Sequence, residues 1–350
     1  MPFLFDADVH IHERAADLAP FCEMPWRLGL ENEAAGDRWL DTPGYSPLTP
    51  IDPPLGERPE PDVHVVADPD TLRADLDRRG VDAALMMTDC LIGLAGSTNA
   101  DYAVSVAAAY NRYLRERWID PARGLYGAIL AAPQDPAAAA AEIGHYADAP
   151  GVAAVLLSTV NVSPLWGSRF YDPIFRAAAA AGLPLVLHGA TVYGNVFPYQ
   201  LQHFETAAAR GALAQPLGAV ANLTSLVTNG VLARHPALKL LFCEAGLAWL
   251  PFLASRLDGQ YRHLKDEPPG LASAPSSYIR DQVWVTTHPL GDLAAAGDLA
   301  RSLVEAIGPE RVLFASDWPH FDRDEPSDLE ALSLPASILG QNARALFRLG

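Results

Sequence analysis

Phe3-Leu4-Phe5-Asp6-Ala7-Asp8-Val9-His10-Ile11-His12-Glu13 begins as an apolar run of strand length and ends in two histidines with acids on both sides. A strand alternates its faces with period two, so His10 and His12 are expected to point the same way. Two imidazoles converging at a strand end are what a zinc, iron or manganese ion takes as its first ligands. Taken alone, such a pair more often marks a polar strand end that meets solvent. Which reading holds depends on the other strand ends.

Beyond this stretch, residues 13–66 lack periodicity and are rich in proline (Pro20, Pro25, Pro43, Pro47, Pro50, Pro53, Pro54, Pro59 and Pro61). Phe21, Trp26, Trp39 and Tyr45 give the segment apolar anchors, which favours an ordered cover inserted after the first strand. A repeating pattern follows. Helical spacing over 70–79 precedes the apolar run 83–87; 99–118, with Tyr102, Val106, Tyr110 and Leu114 on one stripe, precedes 125–130. Proline-led 136–146 precedes 152–157, and 171–181, stopped by Gly182, precedes 183–188. Helices over 217–234, 249–264 and 293–307 then alternate with strands ending at Glu244, near His288 and at Asp317, and a last helix covers 336–349.

Counting the opening strand, this makes eight strand-then-helix units whose strands are near-continuous apolar runs, as in a parallel sheet covered by helices. The pattern predicts an α/β fold closed into a (β/α)8 TIM barrel, one domain over 1–350, with an open doubly wound sheet as the alternative. No Gly-x-Gly-x-x-Gly turn follows an early strand, which weighs against dinucleotide binding.

In a barrel, reactive groups sit at the C-terminal strand ends. His10 and His12 end the first strand, His188 the fifth, Glu244 the sixth; His288 lies near the end of the seventh, and Asp317 ends the eighth, followed by Trp318-Pro319-His320. With His203, six of the ten histidines fall in or beside the expected mouth. The second, third and fourth strands end in Thr88-Asp89, Ala131-Ala132 and Ser158-Thr159. Histidines in register with a carboxylate on the last strand point to a metal site. For Asp317 the plain alternative is a helix N-cap, for Glu244 an arginine partner, and for His203 a helix surface.

Asp8-Val9-His10-Ile11-His12, Leu187-His188-Gly189 and Phe314-Ala315-Ser316-Asp317-Trp318-Pro319-His320 resemble the amidohydrolase-related metal enzymes of (β/α)8 fold. Phe242-Cys243-Glu244-Ala245-Gly246 with Trp249-Leu250-Pro251, and Asn342-Ala343-Arg344, extend the resemblance over the chain. It implies that His10, His12, His188 and Asp317 ligate a divalent metal (zinc, iron or manganese). Water on such an ion has its pKa lowered toward about 7. The expected activity is hydrolysis of a small molecule by this hydroxide, with Asp317 moving the proton and His188 or Glu244 relaying or stabilising charge. Trp26, Trp166, Trp318 and Phe321 are candidate pocket walls, and His288 a candidate substrate contact.

The chain departs from the family pattern in two places. Its lysines are Lys239 and Lys265, neither near the fourth strand, so a carboxylated-lysine bridge is excluded. The family's non-oxidative decarboxylases usually carry a histidine after the sixth strand, where this chain has Glu244. Gln202-His203-Phe204-Glu205-Thr206, Leu223-Thr224-Ser225-Leu226 and Asn229-Gly230-Val231 resemble a subgroup in which some enzymes hold a dinuclear non-haem site and hydroxylate with oxygen. On that alternative Glu13, His203, Glu244 and His320 are candidates for a second metal. A third reading is a supporting subunit of a homologous catalytic chain.

Half of the residues are hydrophobic and 19% are charged, which fits a globular chain. A net charge of −17 makes nucleic acid and anionic membranes unexpected partners. No apolar run reaches the roughly 20 residues of a membrane span, and the early acids disfavour a secretory leader. A cytoplasmic enzyme is expected, as a homo-oligomer or a heteromer with a homologous chain. Three dispersed cysteines argue against a disulfide framework.

Overall fold

In the computed structural model, which describes residues 3–35, 68–189, 205–267, 269–290, 297–320 and 322–349, the apolar runs become eight buried strands. These are β1 (Phe5–Ile11), β2 (Ala83–Thr88), β3 (Leu125–Leu130), β4 (Val152–Ser158), β5 (Leu185–His188), β6 (Leu240–Cys243), β7 (Val283–Thr286) and β8 (Val312–Leu313). Each pairs in parallel with the next in chain order. The ring closes between its ends: Ala7 N–H donates to Phe314 O (3.0 Å) and His10 N–H to Trp318 O (2.7 Å). The chain is a (β/α)8 barrel.

Alternation along β1 sorts its residues. Phe5 packs outward on Phe347 (ring centroids 5.5 Å apart) and Tyr126 (6.1 Å). Asp6, Asp8 and His10, of opposite parity, turn to the other face and are fully buried. The covering helices begin on side-chain caps. Asp68, Asn99, Asp135 and Thr206 each accept a backbone N–H at the start of the helices Pro69–Arg78, Ala100–Tyr113, Pro136–Tyr146 and Ala207–Thr228.

Two helical expectations change. The helix read from 217 starts ten residues earlier, at Ala207, and Pro216 lies within it. It stops at Thr228, because Gly230 adopts a left-handed backbone (φ +70°) and a short helix, Val231–Arg234, starts anew. The last helix breaks at Gly340, where a Cβ would come within 2.3 Å of Phe3 O. The start of the expected cover is ordered: Ala15–Leu18 and Trp26–Ala35 are helical. Phe21 stands edge-on to Tyr113 (5.7 Å) and Trp26 to Tyr102 (5.6 Å), both on the helix after β2. Residues 36–67, with Trp39 and Tyr45, lie outside the described residues. No helix among the described residues is long and apolar enough to cross a membrane.

Gly167 marks the tightest approach to the long helix, since a Cβ there would lie 2.1 Å from Ser225 O. Gly167→Ala is therefore expected to cost about 1–3 kcal/mol of stability, as overpacking does, read as a lower urea midpoint with unchanged slope.

Candidate metal centre

β1, β5 and β8 bring four side chains to one end of the barrel. His10 Nε2 lies 3.1 Å from Asp317 Oδ1 and 3.4 Å from Asp8 Oδ1, while His188 Nε2 lies 3.3 Å from Asp8 Oδ2. One ligand atom from each of Asp8, His10, His188 and Asp317 falls within 4.8 Å of the others, and all four residues are buried. The outer ring nitrogens are engaged: His10 Nδ1 faces Thr88 O at 3.2 Å and His188 Nδ1 faces Gly189 O. A nitrogen facing a carbonyl carries a ring proton, so Nε2 is the atom each ring would turn to an ion at the centre.

That arrangement fits a cation. Both Asp8 oxygens, His10 Nε2 and His188 Nε2 are buried with no hydrogen-bond partner among the described residues. Buried acceptors facing one another are costly unless positive charge lies between them. Two carboxylates and two imidazoles suit a divalent first-row ion such as manganese, iron or zinc.

Expectation and geometry part at His12. The chain leaves β1 at Ile11, and His12 turns to Asp89, its Nε2 being 3.6 Å from Oδ2. Asp89 Oδ1 lies 3.5 Å from His320 Nε2, and His320 Nδ1 lies 2.7 Å from Asp317 Oδ1. His12, Asp89 and His320 thus form a second group beside the first. Asp8, two residues before His10 and still inside the strand, stands where His12 was expected. Period-two alternation holds on the strand and fails past its end.

Glu13 is not at either group; it turns inward and accepts a hydrogen bond from Thr88 Oγ1. His203 and Phe321 lie outside the described residues. Glu244, His288 and Asp317 make a third group, again within 4.8 Å. The Arg79 and Arg323 guanidinium groups each lie over the Trp318 ring (4.8 and 4.9 Å from its centroid), and buried Trp166 donates to Ser158 O (2.7 Å). Asp89 and Asp324 did not stand out from sequence. Asp89 directly follows Thr88 at the end of β2, the available signal; Asp324 sits in a loop with none.

Two site carboxylates stand on unusual backbone. Glu244 and Asp317 have φ of +52° and +65°, in the left-handed region that non-glycine residues seldom enter. Such strain clusters at functional sites. Glu244 Oε1 accepts from Gln215 Nε2 (2.6 Å), and Oε2 lies 3.5 Å from His188 Nε2.

The electrostatics follow from crowding. Burial alone would lower the His188 pKa, but the charges of Asp8, Glu244 and Asp317 raise it to about 10. Burial works against ionised Asp317 too; His320, with His10 and His288, nevertheless holds its carboxyl well below the usual range. Burial, then the charge of Asp317, pushes Glu244 up to about 8. Burial lowers His12 to about 4 despite Asp89.

A closed parallel barrel with imidazole and carboxylate donors converging at one end defines a metal-dependent barrel enzyme. A family model described as amidohydrolase matches residues 7–349, and the chain belongs to that family. It is 24% identical over 296 residues to gamma-resorcylate decarboxylase of Polaromonas sp., covering 78% of this chain and 85% of that protein. Among solved structures it resembles 5-carboxyvanillate decarboxylase of Novosphingobium aromaticivorans, solved with manganese and 4-hydroxy-3-methoxy-5-nitrobenzoic acid (TM-score 0.75, 20% identity, 99% of this chain and 96% of that one). It also resembles dihydroxybenzoic acid decarboxylase of Polaromonas sp., solved with manganese and 2-nitroresorcinol (TM-score 0.69, 18% identity, 100% and 98%).

The ligand set is tested by metal content. Asp8→Asn is expected to weaken Mn2+ binding by more than the roughly 10–100-fold of an outer-shell change, while His12→Gln keeps it within that range. Elemental analysis after gel filtration decides, and the opposite ranking would return His12 to the ligand set.

Glu13 makes a separate prediction. Burial raises its pKa from 4.5 to about 8, against the Thr88 hydrogen bond. The folded state therefore binds a proton that the unfolded state releases, and this contribution to stability is lost as pH rises from 4.5 to about 8. Glu13→Gln keeps the neutral form and should flatten the fall of urea-unfolding stability over that window.

Proposed function

We propose that this chain is a metal-dependent enzyme that removes a carboxyl group, without oxidation, from a small hydroxylated aromatic acid. The observation that carries the reading is the buried Asp8–His10–His188–Asp317 set with His320 directly behind Asp317 (2.7 Å). The decarboxylase relative and the manganese-bearing neighbours support it.

A divalent ion held by these four residues would supply the positive charge that draws the substrate's oxygens to the barrel mouth. The chain's own groups handle the proton. Both ring nitrogens of His320 face carboxylates, Asp317 and Asp89, so the ring is held as an imidazolium. When the bond between ring and carboxyl carbon breaks, carbon dioxide leaves and the electron pair stays on the ring carbon. That carbon takes a proton through Asp317, which regains one from His320. His320, with 24% of its side chain exposed, draws its own from solvent.

Hydrolysis is the second reading, favoured by Glu244 in place of the histidine usual after the sixth strand. There Glu244, 3.5 Å from His188 Nε2, would accept a proton from attacking water. Mn2+-loaded protein with 2,6-dihydroxybenzoate or 5-carboxyvanillate separates the two. Decarboxylation predicts carbon dioxide release and, in D2O, one deuterium on the ring, both lost in Asp317→Asn. No release from any hydroxybenzoate, with turnover of an ester or lactone panel, would replace it with hydrolysis.

A further inference from the structure

β4 ends at the barrel mouth, and the turn that follows it is held from several directions. Ser158 pairs in register with His188, and Thr159 N–H donates to His188 O (2.8 Å). Ser158 Oγ donates to Val160 O (2.9 Å) and accepts the Val160 N–H (3.2 Å). From the helix Ala207–Thr228, Asn222 Nδ2 donates to Thr159 O (3.0 Å), and Asn222 Oδ1 accepts the Trp166 N–H (3.2 Å). Two glycines let this helix come close. A Cβ on Gly218 would lie 2.9 Å from Thr159 Oγ1, and one on Gly189 would lie 2.9 Å from Gln215 Cγ. Gln215, one turn before Gly218, makes the hydrogen bond to Glu244 (2.6 Å). The turn after β4, this helix and Glu244 therefore build one wall of the mouth, beside His188.

Within this pinned turn three polar atoms are left over. Thr159 Oγ1 and both amide atoms of Asn161, Oδ1 and Nδ2, are buried without a hydrogen-bond partner. Asn161 is 6% exposed and has a φ of +56°, so it also stands on left-handed backbone. An unmet buried amide and a strained backbone both work against folding, and their coincidence beside a reaction centre points to a role in function. Donors and acceptors fixed in advance by a rigid turn are what a recognition site needs. The group is neutral and offers both kinds of atom. A hydroxyl, which gives one hydrogen and accepts another, matches it; a carboxylate, which only accepts, would leave Asn161 Oδ1 facing negative charge.

We propose that Asn161 and Thr159 form a neutral subsite on the β4 side of the mouth, which takes a ring hydroxyl of the aromatic acid. The hydroxyl gives its hydrogen to Asn161 Oδ1 and accepts one from Thr159 Oγ1 or the Asn161 amide. The subsite rests on the substrate class of the proposed function, and sets which hydroxylated ring is preferred without entering the metal or proton chemistry.

The test measures equilibrium binding of benzoate, the three monohydroxybenzoates and 2,6-dihydroxybenzoate to the full Mn2+-loaded chain, by quenching of its tryptophan fluorescence. In the unaltered chain at least one hydroxyl is expected to tighten binding by about 3–10-fold over the acid lacking it, as a hydrogen bond supplies. Asn161→Gly should lose that increment while binding benzoate within about twofold of the unaltered chain. Its urea midpoint should not fall, because glycine suits a φ of +56° and the unmet amide is gone. Thr159→Val, nearly isosteric, should shrink the same increment, which keeps the test decisive if Asn161→Gly does not fold. Equal increments in the unaltered chain and the variants, or none in any, overturn the subsite and leave the decarboxylase reading standing. If none of these acids binds, the substrate class fails and the subsite with it.

Discussion

Everything at the barrel mouth depends on the seam where the first strand meets the last. Asp317 N–H donates to Asp8 O (3.1 Å) and His10 N–H to Trp318 O (2.7 Å), so the backbone of one seam sets residues from opposite ends of the chain side by side. Asp6 ties the seam from within. Its carboxylate accepts the Ser316 N–H (2.9 Å) and hydroxyl, and lies 3.6 Å from Arg79. Burial nevertheless pushes its pKa up to about 6 against Arg79 and Ser316. Such a group is retained because its hydrogen bonds fix geometry, which a site assembled from distant segments requires.

The same economy shapes the ligands. A strand directs side chains by alternation while it lasts, and Asp8, His10 and His188 lie on β1 or β5. Beyond a strand end the backbone can aim a side chain sideways only by leaving extended geometry. Glu244 and Asp317 do so, both in the left-handed region. Non-glycine residues there cost on the order of 1–3 kcal/mol each, a strain that packing elsewhere must offset. The barrel body supplies it: β1 through β8 are almost entirely buried.

This division explains what the sequence disclosed. Eight apolar runs alternating with capped helices carry the barrel, because burial and helix capping act through local pattern. Strand-end histidines and acids located the mouth for the same reason. The candidate metal group was only partly legible. Asp8 was visible but read as a flanking acid, because alternation was followed forward from His10 past Ile11, where the strand ends. Asp89 closes β2, yet its contact with His12 and His320 depends on three separate turns. Asp324 reaches His288 from a loop after β8, and nothing periodic marks it.

Charge balance gives these contacts a common logic. Asp8, Asp89, Glu244 and Asp317 gather at one end of a chain whose net charge is already −17. Histidines answer them: His10 and His188 about Asp8, His288 and His320 about Asp317. Where both ring nitrogens meet carboxylates, as in His320, the ring carries the compensating charge itself. Where the outer nitrogen meets a carbonyl, as in His10 and His188, the inner nitrogen is left to face the acids. The excess of buried acid at this centre is therefore suited to completion by a divalent cation.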